Sequence, residues 1–136
     1  MKRYLITCFV CILCAMPVHA RKRLERQYQY QWCVEECQSD FCLPGFAEVR
    51  LADNTRCDCI KTINGISYAI EFDFAAKWTE AVSQALHYSI QTGSKPGIVL
   101  IIEQPKDYVY LERLRAVLST FNLIINVWVI ENIEGL

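Results

Sequence analysis

The chain has 136 residues, a formal charge of −1, eight cysteines and 53% hydrophobic residues. That length supports one domain with a single core, and the near-neutral balance excludes a protein that coats nucleic acid through net charge. No internal repeat is present, and the only low-complexity tract is the brief "QYQYQ" from Gln27 to Gln31.

The first segment, "MKRYLITCFVCILCAMPVHA", has Lys2 and Arg3, an apolar stretch from Tyr4 to Val18, and Val18-His19-Ala20 as a small-residue cleavage site. Residues 1–20 therefore read as a secretory signal peptide. The apolar stretch is shorter than the ~20 residues that span a bilayer. Arg21-Lys22-Arg23 directly behind it resist translocation, so an uncleaved anchor is the rival reading. No small-residue lipobox precedes Cys8, Cys11 or Cys14, which argues against lipid anchoring. Cleavage leaves residues 21–136 as one domain. Without Lys2 and Arg3 the 14 basic residues become 12 against 15 acids, a formal charge of −3. The expectation is an exported protein, periplasmic or secreted, with no stable membrane insertion once the signal is removed.

Five cysteines remain, Cys33, Cys37, Cys42, Cys57 and Cys59. Export favours oxidation, so bridges between the Cys33-to-Cys42 cluster and the Cys57/Cys59 pair are expected, with Cys33 and Cys59 as the named candidates. Structural zinc held by "CVEEC" and "CDC" is the alternative.

From Lys22 to about Gln38 the sequence reads as a helix that must end before Pro44-Gly45. "FAEVRL" (Phe46 to Leu51) and "TRCDCI" (Thr55 to Ile60) alternate in polarity around the turn residues "ADN", which predicts a hairpin. Asn64-Gly65 marks a second turn before "SYAIEFDF", the third strand. "AAKWTEAVSQALHYSIQTG" has helical spacing and a stop at Gly93. "PGIVLIIE" (Pro96 to Glu103) is a continuous aliphatic run such as a strand covered on both faces shows. A helix over "KDYVYLERLRAVLSTFN" and a strand over "LIINVWVI" complete the chain. The predicted fold class is α/β, a mixed central sheet flanked by helices, in the order α-β-β-β-α-β-α-β.

The third strand carries acids. Side chains two apart on a strand share a face, so Glu71 and Asp73 lie with Ala69, opposite Ile70, Phe72 and Phe74. A hairpin turning near Asn64 brings Asp58 across from Glu71. Three carboxylates at one sheet end, with Glu48 of the first strand turned either to Asp58 or to solvent, are what a hard cation such as Mg²⁺ or Mn²⁺ requires, and without a cation they would raise one another's pKa. On the following helix Lys77, Gln84 and Tyr88 lie along one face. A lysine beside such a cluster can orient or deprotonate a water and offset charge developing at phosphorus.

Each of these residues also has a structural role open to it. Asp73 is placed to cap the helix beginning near Phe74, and Glu71 can pair with Arg56. Lys77, Gln84 and Tyr88 are ordinary helix-surface types. His87 has no Ser or Cys partner in the sequence and reads as a surface or half-buried histidine. Trp32, Trp78 and Trp128 read as core aromatics.

Asp58 on the second strand, Glu71 thirteen residues later on the third, and the element order together resemble the PD-(D/E)XK nuclease superfamily. The resemblance spans roughly Trp32 to Glu103. Members carry an Asp and then Glu-x-Lys for metal-dependent phosphodiester hydrolysis, and exonuclease-type members add Gln-x-x-x-Tyr, which "QALHY" (Gln84 to Tyr88) fits. Here Glu-x-Lys is Glu71-Phe72-Asp73, so the lysine position holds an acid and Lys77 is the candidate replacement. "RCDCI", "AIEFDFAAKWTEAVSQALHYS" and "PGIVLI" are also similar to segments of a group of small bacterial proteins, which brings no activity to transfer. The resemblance implies a restriction-endonuclease-like fold and a metal-dependent, nuclease-like phosphodiesterase of the cell envelope with a nucleic acid substrate. Asp58, Glu71 and Lys77 would be catalytic, Asp58, Glu71, Asp73 and Glu48 would hold Mg²⁺ or Mn²⁺, and Gln84 and Tyr88 would bind substrate. The alternative is a catalytically silent, disulfide-stabilised nuclease fold serving as an exported binding module.

Overall fold

The computed structural model describes residues 24–35 and 43–132. The expected signal peptide, Cys37 and Cys42 lie outside the described residues. In chain order the elements are α1 (Glu25–Tyr30), a π-helical turn (Gln31–Glu35), β1 (Phe46–Arg50), β2 (Arg56–Ile63) and β3 (Ile66–Phe74). A 3₁₀ turn (Ala75–Lys77), α2 (Trp78–Thr92), β4 (Lys95–Ile102), a 3₁₀ turn (Pro105–Asp107), α3 (Tyr108–Thr120) and β5 (Asn126–Glu131) follow. The fold is α/β. Its five strands form one mixed sheet in the order β1-β2-β3-β4-β5, antiparallel from β1 to β3 and parallel from β3 to β5.

Local chemistry accounts for the turns. Asn64 and Gly65 both adopt positive φ (52° and 74°), the conformation that a tight two-residue hairpin needs and that Asn-Gly supplies at little steric cost. Asp53 Oδ1 accepts from the Thr55 N–H (3.0 Å) and hydroxyl (2.6 Å), closing the β1–β2 turn. Gly93 ends α2 in the left-handed region and donates its N–H to Ser89 O.

The sheet divides two cores. On one face Ile98, Leu100 and Ile102 of β4 pack with Ala81 and Ala85 of α2 and with Leu111 and Leu114 of α3. On the other, Tyr68, Ile70, Phe72 and Val99 pack against Trp32 and Cys33 of the π turn. This explains the unbroken aliphatic run of β4, since a parallel strand covered on both sides needs apolar side chains on both. Trp32 stacks edge-on against Phe72 at 5.7 Å between ring centroids and lies 5.4 Å from Trp128. Lys61 is buried beneath them, donates to Trp32 O at 2.6 Å, and has its ammonium 4.8 Å from the Trp32 ring centre.

Of the helix expected from Lys22 to Gln38, the described part is α1 and the π turn, and residues 22–23 and 36–38 lie outside the described residues. The π turn holds Trp32 and Cys33, neighbours that are both buried, and Cys33 is tied to Cys59 of β2 by a disulfide with a Cα–Cα distance of 6.0 Å. Zinc ligation by these two cysteines is thereby excluded. Cys57 is a buried thiol; burial pushes its pKa up to about 11, which keeps it protonated and unreactive.

The bridge closes a 26-residue separation between the first helical segment and the sheet. We expect Cys33→Ala combined with Cys59→Ala to lower the unfolding free energy by about 3 kcal/mol, measured by urea denaturation under non-reducing conditions. An unchanged midpoint would remove the bridge as a tether of α1.

Candidate functional site

The β2–β3 ladder runs from Ile63–Ile66 to Cys59–Ile70, and just beyond its last pair the side chains of Asp58 and Glu71 are in contact. On the other side of β2 the β1–β2 pairs Ala47–Cys59 and Val49–Cys57 leave Glu48 opposite Asp58. Three acids thus occupy one row across three strands. The row is also where the strands are irregular. Cys57 packs with Ala69 and Tyr88, whereas Cys59 packs with Trp32, Ile70 and Phe72. Residues two apart on a regular strand share a face, so β2 is distorted at Asp58. Glu48, facing it, has φ of 52°, a left-handed conformation that a residue with a side chain holds at a cost of about 1–2 kcal/mol. Such distortions re-aim side chains. The Asp58 carboxylate accepts the Phe72 N–H at 2.9 Å, taking up a backbone donor of β3.

Glu71 and Asp73 are buried, at 6% and 4% exposure, and Glu71 Oε2 and Asp73 Oδ1 have no hydrogen-bond partner. Burial, then the charge and contact of Asp58, push the Glu71 carboxyl up to about 10. Asp58 is raised by burial and lowered in part by the Phe72 N–H, by Glu71 and by Gln29. Two adjacent carboxyls in a poorly solvated place cannot both ionise, so Glu71 keeps a proton directed at Asp58. Asp73 is pushed to about 7, by burial and then by Glu25, with Lys77 acting in the opposite sense.

The sequence-derived residues separate into groups. Asp58 and Glu71 are brought together. Lys77 is half exposed and its ammonium lies 3.9 Å from Asp73 Oδ1, so it sits beside the acid that replaced the expected lysine. Glu48 is exposed and pairs with Arg56 at 3.4 Å, which corrects the expected Glu71–Arg56 ion pair. Asp73 does not cap the helix: the 3₁₀ turn begins after Phe74 and α2 after Lys77, neither with a side-chain cap. Gln84 is exposed on α2. Tyr88 is buried with its hydroxyl turned to Glu71, and burial, then the charge of Glu71, raises its phenol; it positions the acid from the α2 face. His87 lies half-buried with Nε2 at 2.6 Å from Asp53 Oδ2, linking α2 to the β1–β2 turn.

Two site residues went unnoticed in the sequence. Glu25 of α1 is raised by burial and then by Asp58, and lowered by Lys77. Gln29, one helical turn later and buried, makes side-chain contact with Glu25 at 3.4 Å and reaches Asp58. Their four-residue spacing inside the helical stretch was the only trace available.

Among the described residues no three His, Cys, Asp or Glu side chains gather closely enough to hold an ion between them. Asp58 and Glu71 form a pair, and a pair of carboxylates completed by waters and substrate phosphate is a donor set that Mg²⁺ accepts. The partnerless Glu71 Oε2 fits that role. Comparison with known proteins gives no matching family model, no matching curated relative and no matching solved structure.

The buried acids set a pH dependence. Glu71 rises from 4.5 to about 10 on folding and Asp73 from 3.8 to about 7. The folded chain therefore binds more protons than the unfolded one between those limits, and the contribution present below pH 4 is lost as pH rises. In a metal-free buffer the urea midpoint should fall from pH 5 to pH 8. Glu71→Gln, which keeps the shape of the protonated acid, should flatten that fall and raise the midpoint at pH 8. A midpoint that climbs with pH would contradict the burial of Glu71.

Proposed function

We propose that the Asp58–Glu71 pair is the cation-binding centre of a PD-(D/E)XK-like phosphodiesterase acting on nucleic acid. The observation that carries the reading is two facing carboxyls on adjoining antiparallel strands, one of them with a buried oxygen that lacks a partner. On this reading the sheet and its flanking helices are restriction-endonuclease-like, and the protein is exported, with the Cys33–Cys59 disulfide in keeping with an oxidising compartment. No helix among the described residues is long and apolar enough to cross a membrane.

Asp58 and Glu71 would hold Mg²⁺ or Mn²⁺, which supplies positive charge to phosphoryl oxygens and acidifies water when bound. Glu71 gives up its proton on taking that role, and Tyr88 fixes its orientation. The Lys77 ammonium, exposed and near Asp73, offsets charge developing at phosphorus or steers the attacking water. Gln84, open on α2, contacts the substrate backbone.

A silent binding module is the second reading. It is favoured by the Asp73–Lys77 contact, which leaves the lysine beside the acid in its expected place.

Hydrolysis of single- and double-stranded DNA and RNA with Mn²⁺ tests the first reading. Asp58→Asn and Glu71→Gln should each reduce the rate by at least about 100-fold, Lys77→Ala should reduce kcat more than it raises KM, and His87→Ala should leave both unchanged. Cleavage that survives Glu71→Gln would remove the proposed centre. Absence of saturable Mn²⁺ binding in calorimetric titration of a folded wild type would leave the silent module.

A further inference from the structure

A groove of about 570 Å³ opens between α1 and β1. Arg26, Gln29 and Tyr30 line one side, and Ala47 and Glu48 line the other. It borders the acid row at two of its lining residues, since Gln29 reaches Asp58 and Glu48 stands opposite Asp58. A chain whose phosphate lies at Asp58 and Glu71 therefore has this groove as a path away from them.

The groove's chemistry is specific. Arg26 and Tyr30 are four apart on α1 and so lie on one helix face. Tyr30 is 55% exposed, an aromatic surface with no structural need to be open. An arginine beside an open ring is the combination that holds unpaired nucleotides, the ring taking a base and the guanidinium a phosphate. Glu48 would repel that phosphate, but its carboxylate is paired with Arg56 at 3.4 Å. The β1 wall offers the small side chain of Ala47, which narrows the groove little.

We propose that this groove binds an unpaired nucleotide, so that the protein takes single-stranded nucleic acid in preference to duplex. The inference rests on the phosphodiesterase reading for the identity of the polymer alone.

Binding is measured on the intact protein in EDTA, by fluorescence anisotropy of a labelled oligothymidylate and of a duplex of equal length. The single strand should bind more tightly. Tyr30→Ala should weaken it roughly tenfold while leaving duplex binding unchanged, as loss of one stacked base does. Arg26→Ala should weaken it and lower the salt dependence of log K by about 0.7. Equal affinity for both forms, no binding of either, or an unchanged affinity in Tyr30→Ala overturns the proposal. Hydrolysis by the same preparations with Mn²⁺ keeps the two ideas apart. Tyr30-dependent binding without cleavage sinks the phosphodiesterase reading and leaves the groove, whereas Glu71-dependent cleavage without single-strand preference sinks only the groove.

Discussion

The burial of Glu71 beside Asp58 is the constraint around which the rest is arranged. A lone buried carboxylate is strongly unfavourable, and two in contact are worse unless one holds a proton or a cation lies between them. The fold does little to relieve this. Asp58 receives the Phe72 N–H and the side chain of Gln29, and Glu71 faces Tyr88, yet Glu71 Oε2 remains without a partner. Stability alone gives no reason to keep such a pair, because an apolar replacement of similar size is commonly neutral or better. Backbone strain at Glu48 and an unsatisfied oxygen on Glu71 at one place make it the candidate site.

Holding that place requires both faces of the sheet. On the α1 face the disulfide secures Cys59, the neighbour of Asp58, and Trp32 packs over Phe72, the neighbour of Glu71. On the α2 face Tyr88 closes over Cys57 and Ala69. The distorted row at Glu48 and Asp58 lies between these two anchors, and each anchor fixes a residue adjacent in sequence to one of the acids. The acids are thus oriented by packing on both faces of the sheet, and Phe72 and Tyr88 also touch the pair directly, through the N–H to Asp58 and the hydroxyl turned to Glu71.

The acid at position 73 changes the electrostatics of the site. A lysine there would lie in line with Glu71 and offset it. Asp73 adds to the burden of Glu71, and Lys77 compensates Asp73 from four residues further on. The Lys77 ammonium is exposed, whereas a side chain at position 73 of the strand is buried. Glu25 of α1 enters the same field, coupling the first helix to the charge state of β3.

Much of the layout was legible in the chain. Asn64-Gly65 dictated a tight turn, which in turn fixed the register that brings Asp58 beside Glu71. The aliphatic run of β4 announced a strand covered on both faces, and the cysteine clusters pointed to a bridge between the first helix and β2. These are local matters, since periodicity and turn chemistry act over a few residues. The destinations of Arg56, Lys77 and Glu25 were hidden: each is a long or mobile side chain with several acids within reach, and packing of α1 and α2 on the sheet chose among them. The distortion at Asp58 was hidden as well, because regular alternation assigns Cys57 and Cys59 to one face, whereas Cys59 is bridged to Cys33 and Cys57 packs with Tyr88. The sequence by itself determined which acids neighbour one another along and across the strands, through turn geometry and a two-residue period. Tertiary structure alone decided which of them lose water and which find a basic side chain, because burial and long-range pairing depend on elements far apart in the chain.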